Sequence, residues 1–131
     1  TAGLIYPGMP LKIVNDFREC DFGRFENKNY LELADNALYD EWIKSGGALA
    51  FPGGESVVNF KKRSVDAFTE ILLGYGETKT GAAVVHNGTI MAIMEALADE
   101  KKNYFDWGVE CCGGYVLRVN KDKSLVLEGR L

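Results

Sequence analysis

With 131 residues, 47% of them apolar, the chain is long enough for one domain that buries about two-thirds of its unfolded surface. A net charge of −4 and a pI near 5.0, with lysines and arginines scattered among acids, exclude the concentrated basic face that neutralises nucleic-acid phosphates. No apolar run approaches the roughly 20 residues that cross a bilayer, and the opening TAGLIYPGMP has no basic stretch followed by an apolar one, so a cytoplasmic protein without membrane contact is the expectation.

The order of signals along the chain alternates between extended and helical, which implies an α/β architecture. LKIVND (11–16) reads as a short strand after Pro10. RECDFGRFEN (18–27) carries too many charges for a buried element and reads as a loop leaving that strand, the place where α/β sheets put their chemistry. Residues 29–45 read as a helix with Tyr30, Leu33, Leu38 and Trp42 as core anchors and Gly46-Gly47 as its stop. FPGGES is a tight turn.

Ser56 then caps a helix running to Leu73. Its apolar face is Val57, Phe60, Phe68, Ile71 and Leu72, its wet face Lys61, Lys62, Asp66 and Glu70, and Gly74 and Gly76 end it. GAAVVH (81–86) lacks polar alternation and reads as an interior parallel strand covered on both faces. TIMAIMEALA (89–98) reads as an apolar helix, and 114–120 and 124–129 as two strands pairing antiparallel at an edge.

Few residue types here carry chemistry. The three cysteines are odd in number and Cys111 and Cys112 are adjacent, so no disulfide framework suggests itself. Together with His86 they lack the spacing of a zinc site, and no metal or cofactor is expected. His86 is the single histidine. If a strand ends there and a helix begins near Thr89, the amides of Asn87 and Gly88 point outward at the positive end of a helix dipole and form an anion site, with phosphate the natural ligand. An Asn-Gly pair between apolar residues equally describes a β-hairpin, with His86 a neighbour of the turn. Glu19 taken alone is one acid in a charged loop.

Three motifs in register weigh on these readings. FRECDFGRFENKNYLEL, then PGGES with Phe60 and Arg63 on the following helix, then VVHNGTIM, resemble the histidine phosphatase superfamily, which includes cofactor-dependent phosphoglycerate mutase, from Thr1 to about Trp107. The short stretch between RECDFG and PGGES resembles the small phosphatase branch, with α-ribazole phosphatase, more than the glycolytic mutases. The resemblance implies a phosphoglycerate mutase-like three-layer sandwich, a mostly parallel sheet with helices on both faces. It also implies phosphomonoester hydrolysis or phosphoryl transfer through a phosphohistidine, acting on a small phosphorylated metabolite. Glu19 matches the family's proton donor, and His86 the histidine that holds the transferring phosphoryl group. Asn87 and Gly88 are expected to bind phosphate, and Glu55 either supports the site or serves the turn and helix start. Arg63 reads equally as a surface residue; Tyr39, Trp42 and Phe51 are candidates to shape a substrate pocket, with core packing the favoured reading for each.

The chain departs from the pattern twice. Asn87 stands where the family has glycine, keeping the amide but adding a side chain near the phosphate. The family's nucleophile, the histidine of an Arg-His-Gly motif at the end of the first strand, is absent from these residues. The chain then corresponds to the C-terminal two-thirds of one domain, incomplete at its N-terminus, and by itself would be inactive. One expectation is an enzyme whose nucleophilic histidine lies upstream or comes from a complementing N-terminal segment. A second is a non-enzymatic phosphate-binding or regulatory remnant that needs a partner to complete its sheet, and a third an unrelated α/β interaction domain. Edge strands near 115–129 are candidate homodimer surfaces.

Overall fold

The computed structural model describes residues 1–46, 48–74 and 80–131. Their contacts fall into two units, one of Thr1–Arg18 with Arg63–Leu131 and one of Glu19–Lys62. In chain order the helices are α1 (Ala2–Ile5), α2 (Ala37–Lys44), α3 (Val57–Gly74) and α4 (Asn87–Leu97), followed by strands β1 (Tyr115–Val119) and β2 (Leu125–Arg130). Single 3-10 turns occupy Asn15–Phe17, Gly23–Phe25 and Tyr104–Trp107.

In the first unit, α4 buries Thr89, Ala92, Ile93 and Met94 because its sequence is apolar on nearly every face. Ile93, Met94, Ala98, Trp107 and Leu125 form the buried centre, with Phe17, Phe68 and Leu72 packed on it. Trp107 is fully buried, stands edge-on to Tyr115 at 5.7 Å, and has Lys102 Nζ 4.5 Å from its ring centroid. β1 and β2 pair antiparallel, as predicted for the tail, with a bulge after Val116. Their connection is held by side chains: the Ser124 hydroxyl and N–H both donate to Asp122 Oδ1, at 2.8 and 3.0 Å, which holds the Asp122 carboxyl below its ordinary pKa.

The second unit is built mostly from turns. Asn29 Oδ1 accepts from the N–H groups of Leu31 and Glu32, and Glu32 Oε2 accepts from Asn29 N–H, which is the reciprocal geometry of a helix start. The helix nevertheless does not begin there. Residues 30–35 remain in turns and α2 starts only after Asn36, whose Oδ1 accepts from Leu38 and Tyr39 N–H at 3.0 and 3.3 Å. The helix predicted over 29–45 is therefore half that length: the Asn36 side chain captures the amides of the next turn and restarts the segment. Of its predicted anchors Leu33 is buried and Trp42 half-buried, whereas Tyr30 and Leu38 are exposed. α2 ends at Lys44, two residues before Gly46, which has φ +65°; the second predicted stop, Gly47, lies outside the described residues.

α3 starts where Ser56 predicts, its Oγ accepting from Asn59 N–H at 3.1 Å. Its buried positions are Phe60, Ser64 and Ala67, one stripe at helical spacing. Val57, Phe68, Ile71 and Leu72 are only half-buried, and Lys61 is half-buried rather than wet. Gly74 is the last helical residue, and Gly76 lies outside the described residues.

Two predicted strands are corrected. Residues 11–16 carry no ladder: Val14 is extended (φ −117°, ψ 103°) and Asn15 enters a 3-10 turn. Residues 81–86 are extended at His86 (φ −78°, ψ 156°), but they pair with no strand among the described residues and are mostly exposed, not covered on both faces. A strand is held by a neighbouring backbone, and apolar residues alone do not supply one. The described residues are thus mixed α/β with one two-stranded antiparallel sheet; a mostly parallel sheet is not among them. No helix among them is long and apolar enough to cross a membrane.

Candidate active site

Residues 87–97 are helical, which removes the hairpin reading of VVHNGTIM and leaves His86 as the N-cap of α4. The first intrahelical bond runs from Ile90 N–H to His86 O at 3.1 Å. The amides of Asn87, Gly88 and Thr89 therefore precede any acceptor the helix itself can offer. His86 is exposed, on extended backbone, at the positive end of the dipole of an 11-residue helix.

The Asn87 side chain is anchored: its Oδ1 accepts from Val109 N–H at 3.0 Å. The asparagine that stands in place of glycine thus fastens the start of α4 to the segment after Trp107. A second fastening comes from Tyr104, whose hydroxyl donates to Gly88 O at 3.3 Å. Neither partner is legible from the motif, because both lie 16 or more residues away in sequence. Thr89 carries no signal in the motif either. Its hydroxyl is fully buried in the first turn of α4 and has no hydrogen-bond partner among the described residues.

The second unit holds Glu19 and Glu55. Glu19 is half-buried, and its Oε1 accepts from Cys20 N–H at 2.9 Å; Cys20 itself is buried. The loop that follows is stapled to the PGGES turn by Glu55 N–H donating to Asp21 O at 2.8 Å and Arg24 N–H to Pro52 O at 2.9 Å. Glycine is required on both sides of this staple. A Cβ on Gly54 would run into the Asp21 carbonyl and lie 2.6 Å from Gly23 N, and one on Gly23, at φ +54°, would run into Pro52 O. Contrary to the charged appearance of the loop, Phe25 is buried, edge-on to Tyr39 and Phe51 at 5.6 and 6.1 Å. Trp42 stacks on Phe51 at 4.9 Å, so these aromatic residues pack on one another, leaving an open cleft of about 400 Å³ beside Phe22, Tyr30 and Trp42.

Arg63, at the start of its share of the first unit, is not an idle surface residue. Its Nη1 donates to Asp16 O at 2.6 Å and Arg18 O at 3.0 Å, fixing the backbone that leads into Glu19. Among the described residues no three His, Cys, Asp or Glu side chains converge as a metal site would require.

The family model of the histidine phosphatase superfamily, branch 1, matches residues 1–129. The chain belongs to that superfamily. The crystal structure of an Escherichia coli str. K-12 substr. MG1655 protein, provisionally described as an alpha-ribazole-5'-P phosphatase, superposes with a TM-score of 0.83 at 20% sequence identity. The match covers 97% of this chain and 64% of that one, so this chain spans less than two-thirds of the length of that protein. No curated protein sequence matches it significantly.

Proposed function

We propose that the chain supplies the proton donor and the phosphoryl-holding elements of a phosphomonoesterase, acting on a small phosphorylated metabolite through a phosphohistidine. The observation that carries this reading is the place of His86: the chain's single histidine stands exposed at the N-cap of α4, where the amides of Asn87 and Gly88 and the helix dipole favour an anion. Membership of the superfamily supports it. His86, the only histidine, holds the phosphoryl group on this reading, so the nucleophile comes from outside these 131 residues. On this reading the complete domain is a three-layer sandwich with a mostly parallel sheet, and segments 11–14 and 81–86 find ladder partners in the segment that carries the nucleophile.

The reaction then runs in two displacements. The nucleophilic imidazole nitrogen attacks phosphorus, the ester P–O bond breaks, and the Glu19 carboxyl gives its proton to the departing oxygen. His86 and the α4 amides hold the equatorial oxygens as their charge grows. Water next loses a proton to the Glu19 carboxylate and attacks phosphorus; the P–N bond breaks, restoring the imidazole and releasing phosphate. Glu55 serves through its backbone, by fixing Asp21 two residues beyond Glu19.

The test is hydrolysis of p-nitrophenyl phosphate by the protein that contains this chain. His86→Ala and Glu19→Gln should each lower kcat by about 100-fold or more; activity unchanged by either substitution overturns the assigned role. The single histidine also favours a second reading, phosphate binding without turnover. In that case vanadate or phosphate raises the melting temperature, the rise is lost in His86→Ala, and no hydrolysis accompanies it.

A further inference from the structure

The turn between the Tyr104–Trp107 element and β1 holds two adjacent thiols that the proposed reaction does not use. Gly113 N–H donates to Glu110 O at 2.9 Å, which closes a four-residue turn with Cys111 and Cys112 at its two central positions. Both cysteines are exposed, and their Sγ atoms lie 3.9 Å apart in hydrogen-bond contact. Cys112 has φ +65°, a left-handed conformation ordinarily left to glycine or asparagine. A cysteine kept in such backbone, against a second cysteine, is an outlier from which a role can be inferred.

We propose that Cys111 and Cys112 form a reversible modification site, a vicinal dithiol that closes to an intraturn disulfide by exchange with a low-molecular-weight disulfide. The step balances as two displacements at sulfur. The Cys111 thiolate attacks the disulfide and expels one small thiolate, leaving a mixed disulfide. Cys112 then loses its proton to solvent and attacks the Cys111 sulfur, which expels the second small thiolate. In sum, two protein thiols and one disulfide become one protein disulfide and two small thiols.

The order of attack follows from the contact between the sulfurs. Hydrogen bonding to Cys111, then the charge of Cys111, raise the pKa of Cys112, which disfavours Cys112 as the first attacker. Once Cys111 is capped, that charge is gone and Cys112 is released to attack. The product is easily reduced. Adjacent Cα atoms are held about 3.8 Å apart, below the roughly 4.4–6.8 Å that an unstrained disulfide spans. Strained, exposed disulfides are the labile ones. The bridge therefore forms in excess oxidised disulfide and opens in excess thiol.

The test needs no catalytic activity. The native protein is incubated with oxidised glutathione in mildly alkaline buffer and its intact mass is measured. The expected product has lost two hydrogens and carries no adduct, peptide mapping places the bridge between Cys111 and Cys112, and reduced glutathione restores the starting mass. Cys112→Ser should instead stop at the mixed disulfide, retaining one glutathione on Cys111. A wild-type protein of unchanged mass, one that retains a stable glutathione adduct, or one whose bridge includes Cys20 overturns the proposal.

Discussion

In the unit that holds Trp107, burial comes from side chains of regular elements: α4 and the β1–β2 hairpin deliver Ile93, Met94 and Leu125 to a centre around one indole. In the unit that holds Phe51, the backbone itself does much of the packing. Two turns approach until only hydrogen fits at Gly23 and Gly54, and the aromatic rings of Phe25, Trp42 and Phe51 pack on one another. The first arrangement tolerates local adjustment, because a side chain can find another rotamer. The second does not, because a backbone carbonyl has nowhere to go.

Substitutions can break this contrast, and each unit carries one of the two tryptophans as an internal reporter. The largest effect is expected at Trp107→Ala, which should cost about 3–5 kcal/mol in denaturant unfolding followed by circular dichroism. A cost below about 1 kcal/mol would show that Trp107 is not the centre of its unit. Gly54→Ala adds only a methyl group, yet should cost about 2–4 kcal/mol and disturb Trp42 fluorescence, because the staple to Asp21 must open. A neutral outcome there would mean that the loop and the turn do not touch. The smallest effect sharpens the comparison from the opposite side. Ser64 is fully buried with its hydroxyl unpartnered among the described residues, so Ser64→Ala should raise stability by up to about 1 kcal/mol. A loss instead would reveal a hydrogen bond at that oxygen.

What can be read from the sequence divides along the same line. The start of α3 at Ser56, the helical nature of the segment after His86 and the antiparallel pairing of the tail are all legible, because each depends on a cap or a periodicity within a few residues. The helix over 29–45 overreaches because two asparagines, Asn29 and Asn36, both carry cap chemistry and only the second opens an α-helix. Segments 11–16 and 81–86 have strand composition, but composition cannot provide a pairing partner. For the candidate site, the positions of Glu19 and His86 are visible through the motif. The bonds from Asn87 to Val109, from Tyr104 to Gly88 and from Arg63 to Asp16 are not, since all three are made between residues far apart in the chain.

The Arg63 guanidinium, 3.0 Å from the Arg18 carbonyl, has one further consequence. Residues 19–62 leave and re-enter the first unit at one clamped point, so to that unit they are a closed loop. The entropy of closing such a loop grows only logarithmically with its length, by about 0.6 kcal/mol for each doubling. By chain entropy alone, lengthening this excursion therefore costs little. Long and short versions of the segment between the RECDFG loop and the PGGES turn are compatible with one and the same clamp.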